Sequence, residues 1–226
     1  MIKVYHNFFS DDECSQIVND VYSIQHLWLE HSSYSGKINY LGRSMLLELG
    51  KHQYNTSIAK ESYLNAPNYT GRMHDILIKN MTNLFPKVSY MKQLGKPGIH
   101  ILQEEKSRMW HTHFEKPLFS YELEFPDYTN NFNEFFSLDY TFTIMLTDGE
   151  FTFDYYDDEL CKVHENCISP QCKSIPYTTI HYKKGDLVLQ EKKNLHRIGP
   201  SKFYNDARIA IQGLAVIKDD TFYMYW

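Results

Sequence analysis

Hydrophobic and polar residues recur along this chain with two different periods, and the period changes before its middle. Residues 2–9 alternate well enough for a short strand. Ser10-Asp11-Asp12-Glu13 then has the form of a capping box, in which Ser10 caps the helix start and Glu13 reaches back to it. Cys14, Ile17, Val18, Val21 and Ile24 follow at helical spacing, which predicts a helix from about Asp11 to Ile24. A second amphipathic helix is predicted over Tyr69 to Leu84, with Met73, Ile76, Leu77, Met81 and Leu84 on one stripe and Pro86 stopping it. Residues 25–65 hold neither period, because Gly36, Gly42 and Gly50 interrupt them.

From Val88 onward the period is that of strands. Val88–Gln93, Ile99–Gln103, Tyr140–Leu146, Phe151–Tyr156, Thr178–His181, Asp186–Leu189 and Ala207–Ile217 each fit a half-buried or buried strand. Thr147-Asp148-Gly149-Glu150 is expected to close a hairpin between two of them, and Lys184-Gly185-Asp186 to form another turn. Helices followed by seven or so strands predict an α+β, mainly β protein: a sandwich or barrel-like double sheet backed by N-terminal helices. Residues 1–226 read as one domain, with 1–87 as helical support and 88–226 as the β core. An insertion occupies about 116–139.

Composition narrows the function classes. A chain of 226 residues can bury a proper core, and eighteen Tyr and fourteen Phe suit a β-rich body. The net charge of −5, without a long basic run, disfavours binding to a nucleic-acid backbone. No apolar stretch approaches membrane-spanning length, and the N-terminus lacks the apolar core of a signal peptide. Four cysteines do not make a disulfide framework at this size. A soluble, cytoplasmic protein is the simplest expectation.

The candidate chemistry lies in two distant segments, Trp110-His111-Thr112-His113-Phe114-Glu115 and Asn194-Leu195-His196-Arg197-Ile198-Gly199-Pro200. Two imidazoles and a carboxylate can hold Fe(II) on one face and leave the opposite positions open. Residues two apart on a strand share a face, so His113 and Glu115 would present their donors to one point. His111 lies on that face too, so three donors compete for two positions. His196 must be brought across by the fold, as the common cavity of a jelly roll allows. Arg208 opens the strand-like Arg-Ile-Ala-Ile-Gln-Gly, with Ala210 and Gln212 on its face, and its guanidinium suits a two-oxygen grip on a carboxylate. Arg197, beside His196, would point away from a metal on an extended segment.

These segments resemble those of the Fe(II)- and 2-oxoglutarate-dependent dioxygenase superfamily, in its prolyl-hydroxylase-like branch. His113-Phe114-Glu115, His196 and Arg208 match its His-x-Asp/Glu, distal His and following Arg in type, order and spacing. Thr143-Ile144-Met145-Leu146 with Gly149-Glu150-Phe151, Gly185-Asp186-Leu187-Val188-Leu189 and Leu195-His196-Arg197-Ile198-Gly199-Pro200 are similar to its flanking motifs, as is the opening Phe8-Phe9-Ser10-Asp11-Asp12-Glu13-Cys14. The carboxylate is Glu where the family more often has Asp. The resemblance implies a double-stranded β-helix (jelly roll) core. It assigns His113, Glu115 and His196 to iron, leaving His111 as a neighbour, and gives Arg208 the distal carboxylate of 2-oxoglutarate; Gln212, on the same strand face as Arg208, is placed to add a hydrogen bond. It further implies use of O₂ to hydroxylate an unactivated C–H of a small molecule, amino acid or peptide side chain, with release of succinate and CO₂. The competing reading is a cupin-like, metal-binding jelly roll without keto-acid turnover, which has no need of Arg208.

Two further features stand apart. Residues 116–139 interleave aromatic and acidic side chains, and read either as a lid over a substrate or as a surface excursion packed on a sheet edge. Cys161, His164, Cys167 and Cys172 gather four zinc-type donors in one loop, so a structural Zn²⁺ is a candidate there.

Overall fold

The computed structural model describes residues 2–23, 25, 29–33, 36–41, 67–90, 98–102, 140–156, 177–191, 194–218 and 220–225. The first strand, β1 (Ile2–Tyr5), is shorter than its alternation suggests, because the chain turns at Asn7, whose φ is 52°. Helix α1 (Asp11–Ser23) begins as the capping box dictates. The Ser10 amide donates to Glu13 Oε2 at 2.9 Å, and the Glu13 amide to Ser10 Oγ at 3.2 Å. Its Cys14, Ile17 and Val21 are fully buried, and burial pushes the Cys14 thiol up to about 12.

Helix α2 (Pro67–Met81) buries Met73, Leu77 and Met81 on a four-residue repeat. Each such side chain contributes roughly 1.5–3 kcal/mol when removed from water. The helix ends earlier than Pro86 requires. The Leu84 and Phe85 amides both turn back to the Met81 carbonyl, closing the helix in a tight turn. The two helices are tied together by Lys79 and Asn80 on Glu13, at 2.9 and 3.1 Å, and by Arg72 on Asp20 at 3.0 Å.

The remaining strands are β2 (Leu29–Ser33), β3 (Gly36–Leu41), β4 (Lys87–Tyr90), β5 (Gly98–Leu102), β6 (Tyr140–Met145), β7 (Gly149–Tyr155), β8 (Thr178–Tyr182), β9 (Leu187–Glu191), β10 (His196–Ile198), β11 (Lys202–Phe203), β12 (Arg208–Lys218) and β13 (Thr221–Tyr225). The part expected to be helical support therefore also supplies three strands. All three join a nine-stranded sheet in the order β1-β9-β6-β12-β5-β3-β2. The eleven-residue β12 pairs with β5 through Arg208–Gln212 and with β13 through Leu214–Lys218, and β13 in turn pairs with β4. A four-stranded sheet places β7 between β8 on one side and β10 and β11 on the other.

Thr147–Glu150 does not close a hairpin. β6 belongs to the large sheet and β7 to the small one, so this link crosses between sheets. Leu146 and Thr147 stay bonded to β12 through the Ile209 backbone, which holds the chain in the first sheet until it leaves. Lys184-Gly185-Asp186 does turn, with Gly185 at φ 81°. A Cβ there would lie 2.5 Å from the Phe9 carbonyl oxygen. The Gly185 amide bonds Met145, and its carbonyl accepts the Phe9 amide. Next to it, buried Asp186 accepts from the Asn7 and Lys183 amides and pairs with His6, fixing the N-terminal turn to the sheet.

Alternation along the large sheet sorts its side chains into two layers. Phe142, Ile144, Leu187, Leu189, Ile209 and Ile211 pack with the α1 and α2 stripes in the main core. Their neighbours Met145, Val188 and Ala210 pack instead against Phe151, Phe153 and Tyr182 of the small sheet. The gap between the sheets is thus lined by the residues that do not face the helices.

Candidate functional site

Arg208 is the first residue of β12, and the β alternation sends it to the inter-sheet side with Ala210 and Gln212. It is completely buried. One guanidinium nitrogen, Nη2, donates to the Tyr182 hydroxyl at 3.0 Å, and the guanidinium carbon lies 6.0 Å from the centre of the Phe151 ring. Nε and Nη1 have no hydrogen-bond partner among the described residues. A buried guanidinium so under-supplied with acceptors is unfavourable by itself. A carboxylate brought to it would supply the missing oxygens in charge-assisted bonds, and the low-dielectric surroundings would strengthen them.

His196 opens β10, opposite Tyr155 of β7. It is buried, and its ring stacks on Phe153 with centroids 5.2 Å apart. Nδ1 lies 2.7 Å from the Asn194 carbonyl oxygen. A carbonyl only accepts, so Nδ1 carries the proton in this bond, and in the neutral imidazole the lone pair is then on Nε2. That is the tautomer and orientation suited to metal ligation through Nε2.

Phe151 lies against Arg208 and Phe153 against His196, and the two phenylalanines are successive same-face residues of β7. Such residues stand about 6.5–7 Å apart along a strand. The Arg208 guanidinium and the His196 imidazole therefore occupy neighbouring stations between the sheets, floored by Met145, Val188 and Ala210.

Arg197 turns away from this gap, as its place beside His196 suggested. Its Nε donates to Asp154 at 2.8 Å and its guanidinium covers the Tyr177 ring. Asp154 also accepts from Thr179 Oγ1 at 2.7 Å, so the β10–β7–β8 ladder is braced on the side opposite His196.

Of the residues singled out by the sequence, the structure brings together His196 and Arg208, with Gln212 further along the same face. His111, His113, Glu115 and the insertion 116–139 lie outside the described residues, as do Cys161, His164, Cys167 and Cys172. Among the described residues no group of three His, Cys, Asp or Glu side chains gathers to hold a metal, and no helix is long and apolar enough to cross a membrane. Sequence reasoning missed Tyr182, Phe151 and Phe153. The two-residue spacing of Phe151 and Phe153 on a predicted strand was visible, whereas Tyr182 lay one residue past the predicted Thr178–His181; which strand they would face was not visible.

No family model matches the sequence, and no curated protein matches it either. Solved structures do resemble it in fold. The non-heme alpha ketoglutarate dependent epimerase SnoN from nogalamycin biosynthesis superposes with a TM-score of 0.53 at 10% identity, covering 95% of this chain and 79% of that one. The non-heme alpha ketoglutarate dependent carbocyclase SnoK from nogalamycin biosynthesis gives 0.51 at 11% identity, over 93% and 78%. A Pseudomonas putida prolyl-4-hydroxylase gives 0.47 at 10% identity, over 94% and 90%. The chain thus has the fold of the non-heme, alpha ketoglutarate dependent enzymes SnoN and SnoK.

Proposed function

We propose that this protein is an Fe(II)- and 2-oxoglutarate-dependent oxygenase. The observation that carries this reading is Arg208, buried, short of acceptors and one strand station from His196. A jelly-roll reading of the core is supported by the strand order β1-β9-β6-β12-β5 facing a sheet of β8, β7 and β10, with the chain repeatedly crossing between the two. His196 would hold the iron together with His113 and Glu115. Arg208 would take the distal carboxylate of the keto acid. Gln212 stands four residues on, about 13 Å along β12, so it is suited to another part of the bound diacid rather than to the same carboxylate. A cupin-like protein without keto-acid turnover would have no use for a buried guanidinium at this place.

Iron and keto acid together supply the activation of O₂ and the oxidation of a substrate C–H, with release of succinate and CO₂. The chain's own residues bind, orient and exclude water. Tyr182 holds one edge of the Arg208 guanidinium and so fixes the direction of its remaining donors. Phe151, Phe153, Met145 and Val188 keep the grip dry, which strengthens it. The Asn194 carbonyl holds the His196 ring with Nε2 as the ligating nitrogen. Hydroxylation is the proposed outcome, on a small-molecule, amino-acid or peptide substrate. The similar folds of an epimerase and a carbocyclase show that one scaffold serves several outcomes.

Anaerobic addition of Fe(II) and 2-oxoglutarate tests the reading. A keto acid chelated to Fe(II) gives a weak visible charge-transfer band, and the band should appear here. Protein that binds iron and keto acid without it would sink the proposal.

A further inference from the structure

The inter-sheet face carries a second set of buried polar atoms that the keto-acid grip does not use. Thr141 of β6 and Gln190 of β9 are direct partners in their ladder, and both are buried, with 6% and 5% of their surface exposed. By alternation Thr141 shares its face with Met145, and Gln190 with Val188, both of which pack between the sheets. Thr141 Oγ1 and Gln190 Oε1 each lack a hydrogen-bond partner among the described residues. Buried oxygens of neighbouring residues left in this state are unfavourable for folding, and a site that meets a ligand is one reason to retain them.

Their position separates them from Arg208. Thr141 aligns with Leu214 of β12, six residues beyond Arg208, which is about 20 Å along the strand. Thr143, Val188, Gln212 and Ile2 surround the pair in register and none of them is charged. An ionic group placed here would be buried without a counter-charge. A neutral group bearing N–H or O–H donors would satisfy both oxygens.

We infer that Thr141 and Gln190 form the substrate-recognition end of the gap, accepting hydrogen bonds from a neutral donor group of the substrate. The inference rests on the proposed function in taking this ligand to be the substrate. The pair determines specificity and takes no part in the oxidation itself.

Two measurements test it on the full chain. In saturation-transfer NMR, propanamide and 2-butanol should give protein-dependent signals, while 2-chlorobutane, similar in shape but with neither an N–H or O–H donor nor a carbonyl to take the Thr141 hydroxyl proton, should not. Equal signals from all three, or none from the two donors, overturn the inference. In the double variant Thr141→Val with Gln190→Leu, the donor signals should disappear while the melting temperature stays unchanged or rises by about 2–4 °C, because unpaired oxygens have been removed. A fall in melting temperature, or retained donor signals, overturns it as well. Titrating 2-oxoglutarate into the same samples separates the two readings. Keto-acid binding with no donor contrast removes this inference alone, and donor contrast without keto-acid binding removes the proposed function and leaves only the polar site.

Discussion

The two faces of the nine-stranded sheet are built from the same strands, and they behave as different materials. The face against α1 and α2 carries Phe142, Ile144, Ile209 and Ile211, all apolar and fully packed. The face against the small sheet carries Arg208, Thr141 and Gln190, each with buried polar atoms that lack partners among the described residues. One face holds the protein together, and the other gives up some stability to buried polar atoms that, on the function proposed above, are kept for ligands. A shift of one residue along β12 moves from one material to the other, from Arg208 to Ile209.

Adjacent substitutions offer the sharpest way to break this contrast. Ile209→Ala should cost about 2–5 kcal/mol of unfolding free energy, read by urea denaturation, and should leave 2-oxoglutarate affinity in the folded protein nearly unchanged. Arg208→Ala should do the reverse. Calorimetry should show keto-acid affinity reduced at least about 30-fold, as expected when one partner of a buried, hydrogen-bonded charge pair is truncated, with little loss of stability because an under-satisfied charge has been removed. If both variants lost stability alike, the two faces would not differ as described.

A smaller effect tests how the N-terminal turn is joined to the sheet. Gly185→Ala places a methyl group at φ 81° and against the Phe9 carbonyl. A loss of about 2 kcal/mol is expected, from the left-handed backbone and the crowding together. Because the turn stitches Met145 to Phe9, the loss should register as global destabilisation, with 2-oxoglutarate affinity in the folded protein unchanged in calorimetry.

The smallest expected effect lies on the outer surface, at Glu13. Burial by itself raises the pKa of Glu13, but the Ser10 amide and the Lys79 and Asn80 side chains outweigh it and hold the carboxyl below its ordinary value of 4.5. A carboxylate whose pKa is lowered by folding stabilises the protein above that ordinary value. Its contribution is lost as pH falls through the lower, folded value. Glu13→Gln should therefore flatten the acid limb of the stability curve by a few tenths of a kcal/mol, the scale of screened surface pairs. The difference should shrink further in high salt.

The helices were legible because their signals are local. Ser10 and Glu13 bond to each other within one turn, and Cys14, Ile17 and Val21 share a face at fixed spacing whatever lies opposite. Most strands were legible for the same reason. The short β10 and β11, the hairpin of β2 and β3, and the last strand β13 were not: two or three residues hold too little alternation, the glycines near β2 and β3 blurred theirs, and Thr221–Tyr225 has no polar and apolar alternation to read. The expected hairpin at Thr147–Glu150 failed instructively. Its turn residues are compatible with a hairpin, yet both edges of β6 are taken by distant strands, β9 on one side and β12 on the other.

The sequence by itself determined the capping box of α1, the strand periods, and the placing of Arg208 on the face opposite Ile209, since each follows from spacing and backbone geometry. It also named His196 and Arg208 as candidates from their residue types and order. Tertiary structure alone decided that Arg208 meets Tyr182 and Phe151, that His196 is oriented by the Asn194 carbonyl, and that Thr141 and Gln190 lie side by side without partners. These are contacts between distant strands, set by sheet order and register, and no local spacing encodes which strand will lie across the gap.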